Sequence, residues 1–151
     1  MRKSITVTIS SEGRDKGKTF VVKEMSSDQG ERWAMRALLA LTNAGVQLPD
    51  GAAEAGMAGI AAAGIEALGK LQFAAVEPLL EEMWECVQYQ PPDVKGQKLP
   101  TQNIFAGDGS QTEEIATRMQ LRMEVLKLHV NFSQGADIPF TAPLLRTGTR
   151  A

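Results

Sequence analysis

The run QTEEIATRMQLRMEVLKLHVNF, residues 111–132, sets the hardest condition on what this chain can fold into. At 100° per residue, Ile115, Met119, Met123, Leu126 and Val130 form one apolar arc, and Leu121, Val125, Leu128 and Phe132 form a second. Arg118, Arg122 and His129 lie between the arcs, while Gln120, Glu124, Lys127 and Asn131 take the remaining side. A helix with two apolar arcs usually touches two different neighbours. Ser110, three residues ahead of Glu113, has the spacing of a capping box at its start.

The chain must supply at least one of those neighbours. Ile5, Val7 and Ile9 alternate with Thr6 and Thr8, the period of a half-buried strand. The polar turn SEGRDKG (11–17) and a second run, KTFVVKEM (18–25), complete an antiparallel hairpin over residues 3–25. Two strands alone are marginal in water, so the hairpin must lie on a helix or extend another subunit's sheet. Ser26, Ser27 or Asp28, the last with Glu31 at capping-box spacing, opens a helix through ERWAMRALLALTN that stops near Gly45. Trp33, Ala34, Ala37, Leu38 and Leu41 form its apolar arc, extended by Met35 and Leu39, and an arc so wide predicts an enclosed helix.

After the turn Leu48-Pro49-Asp50-Gly51, residues 51–75 hold ten alanines and five glycines. Each interior glycine costs a helix about 0.5–1 kcal/mol against alanine. The segment fits a loose surface helix or linker, and it fits equally a thin helix, with Met57, Ile60, Leu68 and Leu71 in a stripe, against which another backbone packs. Pro78 suits the first turn of a further helix running to Pro91-Pro92. Leu79, Leu80, Met83, Trp84, Cys86 and Val87 form its apolar face, and Glu77, Glu81, Glu85 and Gln88 gather opposite. Residues 91–109 read as a long loop, whose length points to mobility or a binding role. The tail 135–151 has no sustained period and is expected to be extended or disordered.

Charge is split along the chain. Residues 50–93 carry eight acids and one base, a net −7, against +5 for the remainder. Such a split can steer association between parts of a chain or between copies of it, or simply mark a solvated acidic helix face. The overall charge of −2 and pI near 5.5 lack the basic footprint of a general nucleic-acid binder. No apolar run follows the first residues, and the Ala/Gly stretch is too weakly apolar to span a bilayer, so no membrane association and a cytoplasmic location are expected.

Candidate chemistry is sparse. One cysteine and one histidine exclude a disulfide framework and a cysteine-built zinc site. Cys86 reads as a small core residue, and His129, between two apolar arcs, as a partly buried hydrogen-bonded one. Gly107-Asp108-Gly109 lacks the third glycine of a dinucleotide loop and the lysine of a Walker loop. Glu77, Glu81 and Glu85 stand one turn apart on a polar side, where solvation explains them. Arg118 and Arg122 could grip phosphate, but in an acidic chain pairing with carboxylates is the simpler expectation. No catalytic residue, cofactor or metal site is assigned, and no enzyme activity is expected.

The stretches KTFVVKEMSSDQGERWAMRALLAL, EPLLEEMWECVQY and EVLKLHVNF, in that order, resemble the tail assembly chaperones of long-tailed bacteriophages and prophages. The resemblance covers roughly residues 18–133. It implies a factor of the bacterial host cytoplasm that binds the helical tape measure protein, keeps it soluble and helps recruit tail tube protein, without remaining in the virion. Many members also exist as a longer frameshifted form. The alternative role is a structural tail component, a completion or connector subunit.

Together these readings predict an α+β fold, predominantly helical with an N-terminal antiparallel β-hairpin, in one domain over residues 1–134. Methionines are flexible, polarizable contacts that repack against varied partners, though they equally fill cores. Met57, Ile60, Met83, Trp84, Met119, Met123, Leu126 and Val130 are the candidate partner-binding residues, for a helical client or a second copy of the chain.

Overall fold

A computed structural model describes residues 1–47, 50, 69 and 71–134, with backbone alone from residue 130 onward. The fold is α+β. In chain order it runs β1 (Ser4–Thr8), β2 (Thr19–Lys23), α1 (Ser27–Asn43), α2 (Phe73–Trp84), β3 (Val87–Gln90), β4 (Gln102–Asn103) and α3 (Ile115–Gln134). The strands form one antiparallel sheet in the order β1-β2-β3-β4.

The predicted hairpin is present, with Ile5 opposite Val22 and Val7 opposite Phe20. Both strands lie against α3, as the sequence reading required of a hairpin resting on a helix. The sheet is completed within the chain by β3 and β4, which pair Val87 with Val22 and Tyr89 with Gln102. The helix expected to run to Pro91 ends at Trp84, and Cys86 and Val87 leave its apolar face for the core under the sheet. The reason is pairing: the Lys23 N–H donates to the Cys86 carbonyl (2.9 Å), so β2 captures the chain as it leaves α2. Phe20, Val22 and Val87 then share the core face with Ile5 and Val7 packed beside them.

The stretch 91–109 is tied down along much of its length. Lys95 and Gly96, both at positive φ, make a two-residue turn that bridges Val94 to Gln97. The buried Gln90 donates through Nε2 to the Leu99 carbonyl (2.8 Å), and Thr101 Oγ1 donates to Gln88 Oε1 (2.6 Å).

Helix α1 buries the predicted arc of Trp33, Ala34, Ala37, Leu38 and Leu41. Trp33 Nε1 donates to the Leu79 carbonyl (2.9 Å), which fixes α1 on α2 while satisfying a polar group in the core. Gly45, at φ +79°, ends the helix: its N–H reaches the Thr42 carbonyl, and that of Val46 reaches Leu41. Met35 and Leu39, expected to widen the buried arc, are exposed. Among the described residues no helix is long and apolar enough to cross a membrane. Residues 51–68 and 70 of the Ala/Gly stretch, with Met57, Ile60 and Leu68, lie outside the described residues, as do the Leu48-Pro49 turn and the tail 135–151.

Candidate functional site

Helix α3 meets charged side chains in two places, and the two are built differently. The first is its entrance. Asp15, in the hairpin turn, is 1% exposed, and its carboxylate accepts the Glu113 N–H at 3.0 Å and the Glu114 N–H at 2.9 Å. Lys18 Nζ closes the site, donating to Asp15 Oδ1 (2.9 Å), the Gln111 carbonyl (2.9 Å) and Glu113 Oε2 (3.3 Å). Outside it, Arg14 donates to the Glu114 carboxylate and the Glu113 carbonyl. Burial works to raise the Asp15 pKa, but hydrogen bonds from Lys18, Thr117 and the two amides outweigh it and hold the carboxyl at about 2.

This arrangement corrects the expected capping box. Ser110 Oγ is bonded to Thr112, and the amides ahead of α3 go to a carboxylate nearly a hundred residues earlier. An aspartate just ahead of a helix also meets the positive end of its dipole. The turn SEGRDKG carried no signal for this role beyond an Asp with a Lys three residues on.

The second place is the face between α2 and α3. Trp84 lies over one end of that interface, with Arg118 Cζ 3.9 Å and Arg122 Cζ 5.0 Å from its ring centroid. Arg118 Nη1 donates to Thr112 Oγ1 (3.4 Å) and Arg122 Nε to the Leu80 carbonyl (3.3 Å). Leu80 meets Arg122 and Trp84 meets Arg118, so α2 and α3 run antiparallel here. The expected carboxylate partners are absent: among the described residues neither arginine forms an ion pair. The indole ring replaces them, because a guanidinium stacks well on an aromatic face. Burial lowers the pKa of both arginines, and the charge of Arg118 lowers that of Arg122 further.

Beside the arginines the apolar arcs of α3 separate as the sequence suggested. Leu121, Val125 and Leu128 are buried in the core. On the other arc, Ile115 is 79% and Met119 57% exposed, Met123 is half-buried, and Leu126 is covered at 4%. The structure therefore divides the candidate partner-binding residues. Met119 is at the surface, with Met123 and Trp84 partly so, whereas Met83 and Leu126 are enclosed by their own chain. Met57, Ile60 and the Val130 side chain lie outside the described residues. Ile115 and Phe73 are exposed apolar residues that the candidate set omitted.

His129 and Cys86 have structural surroundings. The His129 Nε2 accepts the Met25 N–H (2.9 Å), which leaves Nδ1 as the donor to the Val125 carbonyl (2.7 Å). Cys86 is buried, with its thiol against the Glu82 carbonyl at 3.7 Å. Burial first, and the Glu85 charge second, push its pKa up to about 12, so the nucleophilic thiolate is suppressed. Among the described residues no group of three or more His, Cys, Asp or Glu converges as a metal site would.

No protein-family model matches this chain, and neither a curated protein nor a solved structure is detectably similar to it.

Proposed function

We propose that this chain is a non-catalytic assembly factor that receives an apolar helical client on the outer arc of α3. In the reading that the KEMSS…ERWAMRALLAL and LKLHVNF stretches suggest, it is a phage tail assembly chaperone. Its client is then the tape measure protein, and it helps recruit tail tube protein in the host cytoplasm. The observation that carries the proposal is the division of α3: one apolar arc is packed in the core, while Ile115 and Met119 on the other stand in solvent. An exposed apolar helical stripe is the ordinary receptor for an amphipathic helix.

The test is co-expression with the tape measure protein of the same locus. The client should stay soluble and co-purify with this chain, and the variant I115S/M119S should lose it. A client that is equally soluble without this chain and does not co-purify with it overturns the proposal.

One feature favours a second reading, a structural tail subunit. Strand β1 forms one edge of the sheet, where another subunit's strand could pair. Mass spectrometry of purified particles separates the two, because a structural subunit persists in the virion and an assembly factor does not.

A further inference from the structure

Helices α2 and α3, packed together, each carry a pair of charges, of opposite sign, that forms no ion pair among the described residues. Arg118 and Arg122, one turn apart on α3, each spend one N–H donor inside the protein and have no carboxylate partner among the described residues. Stacked on Trp84, they are held in place and partly desolvated, which raises what an incoming carboxylate would gain. On the neighbouring α2, Glu77 and Glu81 are also one turn apart, exposed and outside every ion pair of the described residues. The helix's other mid-helix acid, Glu82, is already bound to Arg36 of α1.

We propose that this face is a self-complementary interface between two copies of the chain, with Glu77 and Glu81 of each copy seated on Arg118 and Arg122 of the other. The geometry is that of a two-fold. A two-fold axis lying in the face and parallel to the helices exchanges their positions, so the second copy's α2 lies on the first α3 and, because α2 and α3 are antiparallel, runs antiparallel to it. In that direction the four-residue step from Glu77 to Glu81 matches the four-residue step from Arg122 back to Arg118. One register thus sets Glu77 on Arg122 and Glu81 on Arg118. A two-fold contact needs one patch that complements itself, and a patch holding both charges does so. A nucleic acid fits the arginines less well, because the exposed Glu77 and Glu81 of the adjoining helix would repel phosphates.

The inference stands without the client. Where the client also docks on α3, the second copy and the client compete for that helix.

Analytical ultracentrifugation of the purified chain alone tests it, so that its result is separate from the co-expression result. The expected outcome is a concentration-dependent dimer that weakens with added salt. E77K/E81K and R118E/R122E should each be monomeric, with dimer dissociation constants raised at least about hundredfold by like-charge contact. An equimolar mixture of the two variants should recover a dimer, since each then meets opposite charge on both halves of the interface. Circular dichroism confirms folding of each variant. E77K/E81K alters only exposed side chains, so it decides the matter alone should R118E/R122E fail to fold. A wild type that stays monomeric, a folded E77K/E81K that dimerises like wild type, or two folded variants whose mixture stays monomeric would each overturn the interface.

Discussion

The entrance of α3 and the flank one turn further along hold similar residues to opposite effect. At the entrance, Arg14, Asp15, Lys18, Glu113 and Glu114 neutralise one another, and the buried carboxylate has every neighbour it needs. On the flank, Arg118 and Arg122 rest on Trp84 and form no ion pair among the described residues. The lesson is that charge composition alone does not tell a lock from a docking site. What separates them is whether the fold itself provides the counter-charge.

Substitutions should separate the two regions. The largest effect is expected from Asp15→Ala, which strands Lys18 and two backbone amides. It should cost about 2–4 kcal/mol in denaturant unfolding while leaving the monomer–dimer equilibrium of the folded protein unchanged.

Next is the acid response of the same carboxylate. Its folded pKa of about 2 lies below the ordinary 3.8, so the ionised form stabilises the fold above about pH 4, and that contribution is lost as pH falls towards 2. The shift corresponds to about 2 kcal/mol. Stability curves of wild type and Asp15→Asn should therefore converge across that window, and curves that stay parallel would show that Asp15 is not the group responsible.

Trp84→Phe should cost roughly 1 kcal/mol or less in stability, yet weaken self-association by freeing the two arginines it holds. An unchanged sedimentation profile would break the link between the ring and the docking face. The smallest effect on stability is expected for I115S/M119S, within about 0.5 kcal/mol because both side chains are exposed, although client recovery should fall. If this variant unfolds readily, the outer arc belongs to the core and the contrast between the two regions fails.

Local periodicity was informative where one period ran unbroken. The alternation Ile5–Ile9, the Trp33–Leu41 arc and the two arcs of α3 are each visible in a short window, because each element buries the face its own spacing creates. It misled at Cys86-Val87, where the residues continue the apolar face of α2 well enough to hide a strand that exists only through pairing with β2. It was silent at Asp15, since nothing in SEGRDKG identifies which polar residue of a turn will be buried against amides nearly a hundred residues away. The candidate site was half legible for a similar reason: Met119 and Leu126 share an arc, but only packing exposes the first and covers the second.

The sequence by itself determined the hairpin, the helical segments and the two-faced character of α3, because these follow from spacing within ten or twenty residues. Only the tertiary structure decided that Asp15 closes the helix entrance, that β3 and β4 complete the sheet, and that two arginines find an indole instead of a carboxylate. Those outcomes depend on which distant groups reach one another first and best in three dimensions, a competition that no local pattern records.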